Sequence, residues 1–159
     1  MAATPAIAAL DEAGVTYRLH SYDHDPANSH YGEEAAVKLG VDPLRLYKTL
    51  VVDVGHARPD LAVAVVPVAT QLSLKLFAAA LGAKKAAMAD RDLASRSTGY
   101  VLGGVSPLGQ KLALPTVIEE AAQLFDTIFV SAGRRGLQVE LSPADLARLT
   151  SAIFADIAA

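Results

Sequence analysis

The chain has no cysteine, and that absence excludes a disulfide scaffold, a thiolate zinc site and a catalytic protein thiol. Aromatic residues are sparse, at 6%. Long apolar runs are also missing: the longest, Leu61 to Ala69, is less than half of the ~20 residues a membrane-spanning helix needs. No basic residue precedes Arg18 to form the start of a secretory leader, so a cytoplasmic location is expected. Neither sign of charge dominates. The 14 basic and 17 acidic side chains leave −3, which together with 52% apolar residues excludes intrinsic disorder. Alanine makes up 31 of the apolar residues, but the leucines, valines and isoleucines still suffice for one core. The 159 residues fit a single domain over 1–159.

Charge is unevenly spread. Residues 1–60 carry five basic and nine acidic side chains, and residues 112–159 carry three and six. Between them Lys75, Lys84, Lys85, Arg91, Arg96 and Lys111 face only Asp90 and Asp92, a local balance of +4. Such a basic middle can meet a nucleic-acid phosphate backbone, or it can be an ordinary solvated surface.

Local signals predict a mixed α and β chain without repeats or linkers. Thr4-Pro5 opens a helix that stops at Gly14, and Val15 to Tyr22 reads as a strand followed by a loop over Asp23 to Ser29. A short helix from about Gly32 to Leu39 ends at Gly40. Leu46 to Val54 and Leu61 to Val66 form a hairpin. Ser73 caps a helix running to Leu81, and short strands are expected at Lys84 to Met88 and Tyr100 to Leu102. Thr127 to Ser131 and Leu137 to Leu141 form a second hairpin. Ser142-Pro143 starts a last helix whose apolar face runs through Leu146, Leu149, Ile153 and Ile157. The expected class is α/β of the α+β type: a mixed, largely antiparallel, barrel-like sheet flanked by helices.

Lys48 is the most informative residue. Alternation along the strand places it with Leu46, Leu50, Val52 and Val54 on the more apolar face. An ammonium there either reaches water at the strand end or is held in a cleft as a fixed positive charge for a phosphate, a carboxylate or a developing oxyanion. Glycines 99, 103, 104 and 109 mark a second place, where bare backbone is either a pair of turns or an N–H cradle for a carbonyl oxygen. Two motifs nearly match and fail. A P-loop would need a hydroxyl after Lys111, and a nucleophile elbow cannot hold Pro107 and Leu108 between Ser106 and Gly109. His20, His24 and His30, with Asp23 and Asp25, match no zinc spacing, so no metal and no cofactor is expected. Tyr22 and Tyr31 bracket the 23–29 loop, as packing residues or as a wall for a base or ribose. Arg134 and Arg135 at the second hairpin read as solvated turn residues or as groups that meet phosphate.

In order and spacing, several stretches together resemble the YbaK/EbsC family, free-standing relatives of the editing domain of bacterial prolyl-tRNA synthetases. They are Tyr22-Asp23-His24-Asp25-Pro26, Tyr47-Lys48-Thr49-Leu50, Ala62 to Val68, Ala80 to Lys85, Arg96 to Tyr100, Gly103 to Lys111 and Leu114-Pro115-Thr116. The resemblance spans about Thr4 to Ile157 and is specific to the branch that deacylates cysteine mischarged on proline tRNA. It implies that Lys48 engages the terminal nucleotide or the ester, and that Gly103 and Gly104 offer backbone donors to the aminoacyl group. It also implies that Tyr22, Tyr31, Thr49, Ser106, Pro107, Ser131, Gly133 and Gln138 surround the substrate. Relatives commonly carry phenylalanine where Tyr31 stands and an acid where Gln138 stands, and the second exchange removes a charge. The implied mechanism needs no protein nucleophile: the cysteinyl thiol attacks its own ester and leaves as a thiolactone. The implied partners are aminoacyl-tRNA, Cys-tRNA(Pro) first, and a prolyl-tRNA synthetase, with no DNA and no membrane. The competing readings are a deacylase for another ester, such as Ala-tRNA(Pro), and a non-catalytic tRNA- or synthetase-binding module.

Overall fold

The computed structural model describes residues 3–159. Thr4 caps the first helix, α1 (Pro5–Ala13), by accepting the Ile7 N–H, and its hydroxyl also donates to Ala132 O at 2.5 Å. One side chain thus starts a helix and pins it to a distant strand. Strand β1 (Arg18–Ser21) and helix α2 (Tyr31–Leu39) follow, the latter ended by Gly40 at φ 65°. Then come the hairpin β2 (Tyr47–Asp53) and β3 (Leu61–Pro67), helix α3 (Leu74–Ala80), strand β4 (Ala87–Met88) and helix α4 (Arg91–Thr98). The remainder is β5 (Thr116–Glu119), a 3-10 turn over Glu120–Leu124, the hairpin β6 (Ile128–Arg134) and β7 (Leu137–Leu141), helix α5 (Pro143–Thr150) and β8 (Ile153–Ala155).

The strands form two sheets. One is three-stranded and antiparallel in the order β1-β7-β6. The other has five strands in the order β4-β2-β3-β5-β8, antiparallel up to β3 and parallel beyond it. Among the described residues a single bridge between Leu46 and Phe129 joins them, so the assembly bends like a barrel without closing into one. All of β3 is buried, which is why it reads as an unbroken apolar run without alternation. One face of the large sheet (Tyr47, Val63, Val65, Ile118) packs on α1, α5 and the small sheet. The other (Val52, Ala62, Ala64, Val66, Val117) lies beneath Phe77 of α3 and Ile157. A third cluster docks α2 through Ala35 and Ala36 against Leu46, Val68 and Phe129.

Several elements differ from expectation. The last helix ends at Thr150, because Ser151 takes a left-handed φ of 55° and the chain turns back as β8 beside β5. Ile153 therefore lies on a strand, and Ile157 is buried in the α3 layer, where the Glu119 carboxylate accepts its N–H at 3.0 Å. Tyr100 and Val101 are irregular, and Leu102 and Gly103 form a turn closed by the Gly104 N–H on Val101 O, with Gly99 and Gly103 at positive φ. The strand expected at Lys84 to Met88 is reduced to its last two residues. Helix α4, capped by Asp90 on the Leu93 N–H, and strand β5 have no counterpart in the sequence reading.

Candidate active site

A cavity of about 290 Å³ opens where β2, the start of α2, the 102–105 loop and the small sheet meet. Lys48 and Thr49 line it from β2, Ser131 from β6 and Gln138 from β7. Leu102, Gly103 and Val105 close one side, and Ser29 to Glu33 supply the cap and first turn of α2. That last wall is absent from the sequence reading except for Tyr31. The signal for it is Gly32-Glu33 in the first turn, whose N–H groups precede the first helical bond, Glu34 N–H to His30 O at 3.0 Å. His30 gives the helix no side-chain cap.

Lys48 stands on β2 between two apolar clusters, with Leu50 and Val52 on its α3 side and Leu46 on its α2 side. Half-buried at the cavity, it has an ammonium whose pKa burial pulls down from the ordinary lysine value, while the nearby Glu33 carboxylate pushes the other way. Buried polar atoms are normally satisfied. Among the described residues, however, Thr49 Oγ1, Gln138 Oε1 and Tyr47 OH are buried with no hydrogen-bond partner, and all three residues line the cavity. Burial, helped by the Glu119 charge, pushes the Tyr47 phenol far above its usual range. Ser131 Oγ accepts the Gly133 N–H at 3.2 Å, which leaves its proton free to be donated.

Tyr31 is fixed by its surroundings. A Cβ on Gly103 (φ 84°) would lie 2.8 Å from its ring, so only glycine lets the loop approach so closely. The Arg135 guanidinium sits 4.7 Å from the same ring centroid, and its Nε donates to Leu102 O at 2.9 Å. Arg135 thereby ties the hairpin tip, the glycine loop and α2 together. Tyr22 stands behind Gln138. Burial pushes its phenol up, and hydrogen bonds from the Gly136 backbone and the Gln138 amide counter that.

Other candidates build the walls from outside. Gly104 is buried with its N–H donated to Val101 O at 2.9 Å, and a Cβ there would strike Arg134 Cα at 2.8 Å. Its part is close packing, with its donor already used. Ser106 is fully buried, its Oγ accepting the Leu108 N–H, and Pro107 lines a separate cleft with Gly109 and Leu149. At Gly133 (φ 107°) a Cβ would meet the Tyr100 ring at 2.9 Å, a close approach outside the cavity. The three candidate histidines go to three different carboxylates: His20 to Glu140, His24 to Glu34 and His30 to Glu33. Among the described residues no group of three or more metal-ligating side chains comes together.

The walls of the site therefore hold a half-buried cation, three buried polar atoms without partners and a helix start carrying partial positive charge, around a space of about 290 Å³. Comparison with known proteins gives a consistent picture. Residues 25–149 match the aminoacyl-tRNA editing domain. A curated Enterococcus faecalis protein, EbsC, provisionally named a Cys-tRNA(Pro)/Cys-tRNA(Cys) deacylase, is 38% identical over 155 residues, covering 97% of this chain and 92% of the relative. Among solved structures, one described provisionally as a trans-editing enzyme for prolyl tRNA synthetase superposes with a TM-score of 0.83 at 22% identity, covering 98% of this chain and 95% of that one. A hypothetical protein superposes with a TM-score of 0.85 at 24% identity, covering 98% of this chain and 100% of the other. At those identities the structures speak for the fold alone.

Proposed function

The chain belongs to the aminoacyl-tRNA editing domain family, and from that premise we propose that it is a free-standing trans-editing deacylase. Its substrate is cysteine mischarged on tRNA(Pro), with Cys-tRNA(Cys) as a second ester, in keeping with the name of the relative 38% identical to it. The observation that carries this reading is the cavity itself. Its walls hold Lys48 together with Thr49 and Gln138, which each have a buried side-chain oxygen without a partner, and contain no cysteine.

The nucleophile comes from the substrate. The cysteinyl sulfur attacks its own ester carbonyl, so a C–S bond forms and the bond from the carbonyl carbon to the ribose oxygen breaks. The thiol proton ends on the ribose hydroxyl that leaves with the tRNA, and the amino acid departs as a cyclic thiolactone. The pocket's contribution is to fold the ester into attack geometry, an effect worth on the order of 7–11 kcal/mol at best. Lys48, the Thr49 hydroxyl and the first-turn N–H groups of α2 stabilise the oxygen that gains charge. Gln138 Oε1 accepts from the substrate ammonium, with Tyr22 and Ser131 holding its neighbourhood. Tyr31 and Gly103 close the side next to the glycine loop. Chemistry then supplies the selectivity that volume cannot, because proline and cysteine are too alike in size for one pocket to separate.

A prolyl-tRNA synthetase is the proposed recruiting partner, the enzyme acting as one domain. The test is ester loss from Cys-tRNA(Pro) and Ala-tRNA(Pro) with the wild type and Lys48→Ala. Loss of the cysteinyl ester, abolished by Lys48→Ala, is the expected result. Preferential loss of the alanyl ester moves the specificity to a substrate without a thiol, and salt-sensitive binding with no ester loss leaves a binding module.

A further inference from the structure

A second cleft, of about 440 Å³, lies beside the first between β2, β4 and α4, and Thr49, Leu50, Leu102 and Val105 line both. Its remaining walls are Met88 and Ala89 on one side and Arg91, Asp92 and Ser95 on the other. The size of the first cavity makes this neighbour significant. At about 290 Å³ it falls just below the ~300–1,000 Å³ of pockets that enclose a drug-sized molecule. An aminoacyl group and the reacting end of the ribose suit a cavity of this size, and the attached base then lies toward a neighbouring surface. The adjoining cleft is one shared wall away.

We propose that this cleft receives the terminal adenine of the acceptor strand, held against Met88, Leu102 and Arg91; the assignment rests on the deacylase reading above. Three observations support it. Met88 and Leu102 are large apolar side chains left 51% and 42% exposed at the cleft. Unpaired bases are bound by apolar and aromatic faces and by the planes of arginine guanidinium groups, and Arg91 is exposed at the same cleft. Asp92 beside it is an acceptor suited to an exocyclic amino group. Finally, part of the basic middle of the sequence lies nearby, with Arg91 in the cleft wall and Lys84 and Lys85 in a separate groove against α3. Lys84 and Lys85 immediately precede β4, and Arg91 and Arg96 lie on α4, all four exposed. They are positioned to meet the phosphates of the strand that leads the base in.

The chain's two methionines, Met1 and Met88, make the test direct. With methyl-13C-methionine the protein gives a reporter inside the cleft and another at the N-terminus. Titration with the trinucleotide CCA is expected to shift the Met88 methyl signal, while the dinucleotide CC leaves it in place. Met88→Glu and Arg91→Glu are each expected to raise KM for Cys-tRNA(Pro) about tenfold, the lower part of the range for unstacking one base, with kcat within about twofold. A Met88 signal unmoved by CCA, or wild-type KM in both variants, overturns the assignment. Its failure is distinguishable from failure of the deacylase reading: ester loss without involvement of Met88 removes only the cleft, whereas no ester loss from the wild type removes both.

Discussion

Lys48 and Gln138 show how chemistry at one position depends on what surrounds it. Alternation along β2 already marks Lys48 as anomalous, and the structure supplies the reason it is held: the apolar layers on either side leave it facing the cavity. Because burial lowers its pKa, the protonated form is lost earlier than in an exposed lysine as pH rises. The alkaline fall in kcat/KM is therefore predicted to come below the ordinary lysine range, and Lys48→Arg is predicted to move it upward while retaining part of the activity. A pH–rate profile of both proteins decides this. Gln138→Leu removes the acceptor proposed for the substrate ammonium. It is predicted to raise KM by about 1–3 kcal/mol, roughly 5- to 150-fold, with a smaller change in kcat. Equal loss in KM and kcat would place Gln138 on the reacting ester. The unpartnered state of Thr49 and Gln138 was not legible in the sequence. It arises only when β2, β6 and β7 are brought together from separate parts of the chain.

At the scale of the element, the decisive piece is α2 with the loop before it. Glu34, with its side chain 1% exposed, accepts from His24 at 2.6 Å and from the Asp25 N–H at 2.9 Å, and Lys38 lies 3.4 Å away. Burial pushes its carboxyl up, but these three donors outweigh that and hold it below the usual value. A carboxyl depressed in the folded state stabilises the protein above its unfolded pKa, and the contribution is lost as pH falls through the folded value. Glu34→Gln is thus predicted to lower Tm by several degrees at neutral pH and to flatten the decline of Tm below about pH 4.5. Thermal melts across pH measure both. Gly103→Ala forces a side chain into a left-handed backbone at about 1–2 kcal/mol and into the Tyr31 ring. It is predicted to lose activity well beyond its modest fall in Tm. Caps and hairpins were readable because they are local: Thr4, Ser73 and Ser142 each accept the expected N–H. The end of α5 was not. The repeat through Ile153 and Ile157 mimics a helix face, but β5 and the Glu119 carboxylate, distant in sequence, claim that segment as strand and tail.

Across the whole molecule, two sheets joined through a single bridge leave an opening where they diverge from α2, and the cavity fills it. Of the basic residues around β4 and α4, Arg91 lines the adjoining cleft, and Lys84 and Lys85 line a separate groove against α3. RNA affinity is accordingly predicted to fall with salt, and the double substitution Lys84→Ala, Lys85→Ala to reduce the slope of log K against log salt by about 1–2, since each phosphate no longer neutralised accounts for roughly 0.7–0.9. An unchanged slope would place the tRNA on another face. Resemblance carried the aminoacyl-tRNA expectation further than composition did, since a balance of +4 over residues 61–111 fits many surfaces. What the fold adds is that one of those charges, Arg91, lines a cleft that shares Thr49, Leu50, Leu102 and Val105 with the lysine site. The most direct measurement is a single-turnover comparison of Cys-tRNA(Pro) with S-methylcysteinyl-tRNA(Pro), in which one added methyl group blocks attack by the sulfur. Rapid loss of the first ester, with the second as slow as without protein, is the predicted result. Equal loss of both would mean that water, or a group of the protein, is the nucleophile, and would contradict the account.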